Sequence, residues 1–485
     1  MSDPIDQDPT STFKAEADAY RYARVAYWDS VNSRPVQRWS AYYRERLLVT
    51  YGQLISESAS VLELGCGRGA LLAGLKPKVG VGVDFSGPAV RAARQNYPHL
   101  EFIESDVVEL DLGGRTFDYV VISELVNDLW DVQLLLGQIH RYCKPETRVI
   151  FNFYSHLWNL PLTAAQKLGI ATPRLDQNWL APQDMRNLLE ISGFQPLRSW
   201  AETIVPVHVP LVADFANRYV GKIFPFRHLA MANFMVARPI PQPDARTPSV
   251  SVVVAARNES GHIDELMERI PEMGAGTEII FVEGNSTDDT YAAIERAIAN
   301  NPGRNCKLLK QPGKGKGDAV RTGFEAAQGD ILMILDADIT VPPEDLPRFY
   351  QLIADGSAEF VNGVRLVYPM EGEAMRFANL LGNKFFSWAF SWLLGQSIRD
   401  TLCGTKVLRR SDYARIAANR AYFGDFDPFG DFDLLFGAAK LNLKIQEVPI
   451  RYRARRYGET NISRWKHGWL LLKMVAFAAR RIKFI

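Results

Sequence analysis

Gly329-Asp330-Ile331-Leu332-Met333-Ile334-Leu335-Asp336-Ala337-Asp338 sets five consecutive apolar residues in front of two carboxylates one residue apart. A short apolar run of this kind reads as a strand buried in an α/β sheet. Alternate residues on a strand share a face, so Asp336 and Asp338 are expected to converge on one hard cation. Magnesium and manganese take oxygen ligands and commonly join carboxylates to substrate phosphates. A plain strand end breaking into a polar loop is the competing reading, and the flanking sequence decides between them.

Upstream, Val250-Ser251-Val252-Val253-Val254 is a nearly continuous β-branched run and ends in Ala255-Ala256-Arg257-Asn258-Glu259. The next strand, Glu278–Val282, ends in Glu283-Gly284-Asn285-Ser286-Thr287-Asp288, where Ser286 or Thr287 is expected to cap the following helix. Gly313-Lys314-Gly315-Lys316-Gly317 then forms a basic loop opening onto a helix, a combination that suits a diphosphate. Open α/β sheets bind ligands beyond the carboxyl ends of their strands, and all four polar clusters fall there.

This series resembles the GT-A domain of glycosyltransferase family 2. The N-E pair of that family falls on Asn258 and Glu259, and its acid–glycine–serine turn on Glu283, Gly284, Ser286 and Asp288, with Asn285 as one extra residue. Its lysine loop falls on Lys314 and Lys316 and its D-x-D on Asp336 and Asp338. The resemblance implies a nucleotide-sugar donor, acids that contact base and ribose, and Mg2+ or Mn2+ on the diphosphate. Further on, Asp400-Thr401-Leu402-Cys403-Gly404-Thr405-Lys406, Glu447-Val448-Pro449-Ile450 and Arg456–Thr460 resemble dolichyl-phosphate mannosyltransferases and bacterial polyprenyl-phosphate relatives. Those enzymes usually carry arginine in place of Lys406 and often serine–lysine in place of Thr460-Asn461.

The acceptor turns on whether the reaction needs a base. A sugar hydroxyl must lose a proton as it attacks, whereas a lipid phosphate is already anionic at neutral pH. Asp431 and Asp433 are candidates for the first role. Lys406, Arg453, Arg455 and Arg456 suit the second, and the arginine cluster favours a polyprenyl-phosphate acceptor. The alternative is transfer to a glycan hydroxyl.

In the first half, Val61-Leu62-Glu63-Leu64 reads as a strand running into Gly65-Cys66-Gly67-Arg68-Gly69 and a helix. Glycines at that turn let the backbone approach a ligand at the helix start. Val79–Val83 ends in Asp84, placed to accept ribose hydroxyls, and Phe102-Ile103 leads to Asp106. The set resembles class I S-adenosylmethionine-dependent methyltransferases, with E-x-G-x-G-x-G on Glu63, Gly65, Gly67 and Gly69. The resemblance implies S-adenosyl-L-methionine as cofactor, Asp84 on its ribose and Asp106 on its adenine. A dinucleotide-binding domain is the rival reading. The methyl acceptor is left open; Asn127, Asp128, Tyr154, His156 and Trp158 are expected to border the pocket, with His156 or His140 as a candidate base. A non-catalytic docking module is the alternative for this half.

The expected architecture is α/β in two domains: an N-terminal extension over 1–39, a Rossmann-like methyltransferase fold over 40–238, a proline-rich linker over 239–248, and a GT-A glycosyltransferase fold over 249–485. A net charge of +1 gives no argument for nucleic acid. The four cysteines, Cys66, Cys143, Cys306 and Cys403, have no metal-ligand spacing and suit a reducing cytosol. The acidic N-terminus argues against a secretory signal, and no uncharged apolar run reaches the roughly 18 residues of a spanning helix. Two stretches, 374–395 and 468–485, combine aromatic or apolar residues with basic ones. The expectation is therefore a cytoplasmic protein in peripheral contact with the cytosolic face of a membrane. Oligomeric state is not legible.

Overall fold

The structure is a computed structural model that describes residues 9–34, 39–168, 175–241, 246–365, 377–420, 432–452 and 464–484. Gly430, Asp431, Arg453, Arg455, Arg456, Thr460 and Asn461 lie outside the described residues. The chain forms two compact units: the residues up to Ile240 together with Lys483 and Phe484, and Pro241–Ile482.

The first unit is built on a seven-stranded sheet: β1 (Ser60–Leu64), β2 (Val79–Asp84), β3 (Glu101–Glu104), β4 (Phe117–Ser123), β5 (Cys143–Tyr154), β6 (Phe194–Glu202) and β7 (Ala232–Pro239). Its order is β3-β2-β1-β4-β5-β7-β6, parallel through β5, with β7 antiparallel to both β5 and β6. Alternation along the strands feeds two cores. Leu62, Leu64, Val120 and Ile122 pack on one face with Met185 and Leu189. Val61, Tyr119, Val121 and Ile150 pack on the other, against Tyr43, Leu47, Tyr51 and Leu54 of the helix Trp39–Leu54. Both faces are covered, which is why these strands are apolar throughout rather than alternating.

Residues 1–39, expected as an extension, contain the helix Pro9–Asn32, which is bonded onto this unit. Trp28 donates to Asp128 at 2.9 Å, and Ser86 donates to Asp29 at 2.6 Å. At the far end of the chain, Phe484 packs on Tyr219 and its carbonyl accepts from Arg218, so the last residues group with this sheet rather than with residues 249–482.

The second unit holds β8 (Val250–Ala256), β9 (Thr277–Glu283), β10 (Asn305–Lys310), β11 (Ile331–Asp336), β12 (Phe360–Val364), β13 (Lys406–Arg409) and β14 (Ile445–Pro449). Their order is β10-β9-β8-β11-β13-β12-β14. Strands β8 to β11 are parallel, with Asp336 in register with Ala255, while β13 runs antiparallel between β11 and β12. The apolar run Ile331–Leu335 is buried in full, as a central strand requires.

Among the described residues no helix is long and apolar enough to cross a membrane. The helix Phe377–Leu394 buries Phe386, Ala389, Phe390 and Leu393 at helical spacing and exposes Phe385 and Trp388. The helix Arg464–Ala478 likewise buries Leu471 and Met474 and exposes Trp469 and Leu472.

Candidate functional sites

In the first unit the carboxyl ends of β1 to β4 gather one polar cluster. Gly65, Gly67 and Gly69 all adopt positive φ, a backbone that side chains rarely take, and a Cβ on Gly67 would meet only open space. The turn therefore leaves its backbone approachable from outside. Asp84, at the end of β2, accepts from the amides of Gly67 (2.8 Å) and Ser86 (2.9 Å). Burial pushes its carboxyl above the ordinary range, and the two amides only partly offset that. Glu63 is buried beneath the turn and accepts from Leu72 N at 3.1 Å. Burial pushes it up to about 8, so it is largely neutral at pH 7 where it is bonded to the helix Ala70–Leu75.

Asp106 follows β3 and is already engaged: Val108 N donates to one oxygen at 2.9 Å, and Arg21 from the helix Pro9–Asn32 sits 2.9 Å from the other. Arg68 reaches the same helix, donating to Asn32 O at 2.5 Å. Glu124, after β4, holds a positive φ and accepts from Tyr43 at 2.6 Å. Sequence reasoning missed Arg21 and Tyr43, because each reaches the cluster from a segment with no motif.

Asn127 is buried and exchanges bonds with Asn178, its side chain donating to Asn178 O at 2.8 Å. His156 is exposed beside Trp179. His140 lies before the start of β5, stacked on Phe194 and 2.6 Å from Ser192 O. It stands at the opposite end of the strands from the glycine turn, and its candidacy as a base is withdrawn.

In the second unit the loops after β8 and β9 are laced together. Asn258 N donates to Ser286 Oγ at 3.0 Å, and Asn258 Oδ1 accepts from Thr287 N at 2.8 Å. Glu259 N donates to Thr290 Oγ1, and its carboxylate lies 2.9 Å from His262 Nδ1. Ser286 N donates to Glu283 at 2.6 Å. The sequence expectation that Ser286 or Thr287 caps the next helix is not met. The helix Thr290–Asn300 begins later, with Thr290 N bonded to Asp288, because Ser286 and Thr287 are spent on Asn258. Burial raises the Asp288 carboxyl, but bonds from Thr290 and Ser260 outweigh it and hold it below the usual range. The extra residue Asn285 takes φ 57°, which asparagine tolerates, so the turn absorbs it without displacing Glu283 or Ser286.

The basic loop is tied to this turn: Gln311 O accepts from Asn285 at 3.5 Å, and Gln311 donates to Gly315 O at 2.7 Å. Lys314 is exposed, whereas Lys316, the first residue of the helix Lys316–Ala326, places Nζ 2.5 Å from Asp336 Oδ1. Strand β11 ends at Asp336. Asp338 therefore lies in a turn, its Oδ1 accepting from Thr340 N and Oγ1 (3.1 and 2.7 Å), and strand alternation does not relate the two acids. Burial raises the Asp336 carboxyl, but Lys316 first, then Lys406 and Arg365, hold it below the usual range. Lys406 is buried and donates to Cys403 O at 2.6 Å. A Cβ on Gly404 would fall 2.1 Å from Asp336 Oδ2 and 2.3 Å from Lys316 Nζ, so Gly404 presents bare backbone to this cluster.

Behind it, Arg365 and Asp400 form a buried pair at 2.7 Å, and Arg365 lies over the ring of Tyr452 at 5.3 Å. Burial disfavours the Asp400 charge, yet Arg365 keeps the carboxyl below its usual range. Glu447 accepts from Arg399 N at 2.7 Å and ties β14 to that loop. Asp433, on the helix Phe432–Lys440, faces Arg420 (3.2 Å) and Arg321 (4.0 Å).

Two carboxylates with hard oxygens at a strand end and the following turn form a donor set that fits Mg2+ or Mn2+, which retain water and phosphate ligands. Among the described residues no group of three or more His, Cys, Asp or Glu side chains is arranged to hold a metal. The positive-φ turn over Asp84 fits a nucleoside cofactor.

Two α/β units thus share one chain, and comparison with known proteins finds a domain model for each. A methyltransferase domain model matches residues 61–146, and the glycosyl transferase family 2 model matches residues 251–417. The chain joins a methyltransferase domain to a glycosyltransferase of family 2. It is 28% identical to the dolichol-phosphate mannosyltransferase of Pyrococcus furiosus, over 48% of this chain and 67% of that protein. Similar solved structures include magnesium protoporphyrin IX methyltransferase from Synechocystis with bound SAH (19% identity, 45% of this chain and 84% of that one, TM-score 0.28). Another is glucosyl-3-phosphoglycerate synthase from Mycobacterium tuberculosis with Mn2+ and UDP (20% identity, 48% and 80%, TM-score 0.36).

Proposed function

We propose that the C-terminal unit transfers a sugar from a nucleotide-sugar to a polyprenyl phosphate, and that the N-terminal unit transfers methyl groups from S-adenosyl-L-methionine. The observation that carries the first reading is that the turn Asn285-Ser286 is bonded both to Asn258 and, through Gln311, to the lysine loop, whose Lys316 pairs with Asp336. Glu259, Glu283, Ser286 and Asp288 would hold the nucleoside. Lys314 and Lys316 face the diphosphate, and Asp336 with Asp338 takes the metal. A divalent cation held there neutralises charge on the departing nucleoside diphosphate. The similarity to a dolichol-phosphate mannosyltransferase supports the acceptor class.

Asp433 bears on the acceptor. Arg420 and Arg321 both meet Asp433 through Oδ2, which makes this carboxylate part of a cationic cluster. A cationic surrounding favours an acceptor that arrives as an anion, held by Arg453 and Arg456. The exposed aromatic sides of the helices Phe377–Leu394 and Arg464–Ala478 support peripheral contact with the membrane where such a lipid resides. In the other unit, Asp84 would take the ribose, Asp106 the adenine, and the Gly65–Gly69 turn the methionine side.

The test is a screen of nucleotide sugars against short polyprenyl phosphates, with products read by mass spectrometry, run with wild type, Asp338→Asn, Asp433→Asn and Arg456→Ala. The expected result is a lipid-phosphate sugar, loss of turnover in Asp338→Asn and in excess chelator, and a raised acceptor KM in Arg456→Ala. Alkaline rescue of Asp433→Asn, with Arg456→Ala nearly silent, transfers the assignment to a hydroxyl acceptor.

A further inference from the structure

The methyltransferase unit carries a surface that neither proposed reaction uses. Two segments build it: residues 155–168, after β5, and residues 203–231, between β6 and β7. Trp158 ties them together by donating to Leu229 O at 2.8 Å. Leu160 and Leu168 on the first segment, and Leu211, Phe215, Phe224 and Leu229 on the second, are all more than half exposed, Leu211 to 87%. The run Ile223-Phe224-Pro225-Phe226-Arg227-His228-Leu229 is exposed at every residue. Scattered apolar residues on a surface are ordinary; large apolar side chains this exposed, on two segments that the Trp158–Leu229 bond joins, mark a partner.

The charges identify the partner. Residues 155–168 contain no acid and one lysine, Lys167. The sole acid of residues 203–231 is Asp214, which accepts from Tyr42 at 2.9 Å. Lys222 is buried against Glu202, while Lys167, Arg218 and Arg227 are exposed cations of the patch, as is His228. Leucines and phenylalanines flanked by arginine, with acids withdrawn, match the boundary between acyl chains and anionic headgroups.

We propose that this face of the methyltransferase unit, bordered by Phe484 on Tyr219 and Arg218, docks on a bilayer containing anionic lipid. The apolar side chains would enter the acyl boundary while Arg218 and Arg227 meet headgroup phosphates. This goes beyond the function proposed above, which draws membrane contact from the C-terminal unit alone. It holds the methyltransferase site against lipid-borne substrates whichever acceptor it methylates.

Hydrogen exchange on the full-length wild type, with phosphatidylglycerol–phosphatidylcholine vesicles or phosphatidylcholine vesicles, tests it without any variant. Anionic vesicles should slow exchange across 205–231 and 156–168, and high salt should reverse the effect. In flotation, Leu211→Glu/Phe224→Glu should need at least tenfold more anionic lipid for half-maximal binding while keeping the wild-type melting temperature. Should that variant misfold, the wild-type exchange data decide alone. Vesicle binding with these segments unprotected overturns the proposal, as does no vesicle binding at all. Concentration-dependent protection without lipid, accompanied by dimer in sedimentation, would assign the face to a second copy instead. Protection by vesicles combined with no sugar transfer to polyprenyl phosphates would leave this surface standing and remove the acceptor reading.

Discussion

Gly404→Ala isolates the contact between the D-T-L-C-G-T-K loop and the first acid of the D-x-D. In the wild type the added Cβ would fall 2.1 Å from Asp336 Oδ2 and 2.3 Å from Lys316 Nζ. An ordinary contact begins near 3.4 Å, so the carboxylate or the loop must retreat by roughly 1.3 Å. Asp336 has little room, since it ends β11 in register with Ala255 and is paired with Lys316. The loop is equally held, because Lys406 donates to Cys403 O and Asp400 is clamped by Arg365. A displacement of about 1 Å at a reacting centre costs on the order of a hundredfold in rate. Gly404→Ala should therefore lower kcat for nucleotide-sugar turnover about a hundredfold. Its backbone is outside the positive-φ region, so alanine adds no backbone strain and the fold should persist. Steady-state kinetics on the full chain measure the loss, and unchanged S-adenosylmethionine binding by the other unit controls for folding. Wild-type kcat in Gly404→Ala would refute the reasoning, since it would mean that neither the Asp336–Lys316 pair nor the loop position matters to the reaction.

Asp84→Ala should weaken S-adenosylmethionine binding ten- to a hundredfold in calorimetry, the loss of a charge-assisted hydrogen bond at about 1.5–3 kcal/mol; equal affinities would remove the ribose assignment. Glu63, raised from the ordinary 4.5 to about 8, binds a proton in the folded state that the unfolded chain releases. Its stabilising effect is present below pH 4.5 and is lost as pH rises through 8, a penalty on the order of 5 kcal/mol at about 1.4 kcal/mol per pKa unit. Glu63→Gln should thus melt higher than wild type at pH 8, with the gap closing toward pH 5; a gap that does not change with pH would contradict the burial argument. Arg365→Met leaves Asp400 buried without its partner and should destabilise the C-terminal unit by about 3–5 kcal/mol in denaturant unfolding; a loss under 1 kcal/mol would show that the pair is not the clamp on this loop.

Composition and order along the chain determined a good deal. Apolar strands such as Ile331–Leu335, buried on both faces, are legible because the run itself is the signal, and the polar residues that follow each strand mark a polar edge at the carboxyl ends of the sheet. The E-x-G-x-G-x-G turn, Asp84, the N-E pair and the lysine loop were readable for the same reason: each acts through local backbone geometry that a few adjacent residues impose. Tertiary structure decided what joins segments far apart. Arg21 reaches Asp106, Tyr43 reaches Glu124 and Gly404 closes on Asp336, across separations that no periodicity encodes. Strand β13 lies antiparallel between β11 and β12, so a loop that follows β12 in sequence is delivered back to the D-x-D. Ser286 and Thr287 serve Asn258 rather than the next helix, because a hydroxyl or an amide takes whichever partner folding brings near. The apolar face of residues 203–231 was invisible for a related reason. Its leucines and phenylalanines carry no motif, and only the folded unit shows Leu211, Phe215, Phe224 and Leu229 to be exposed.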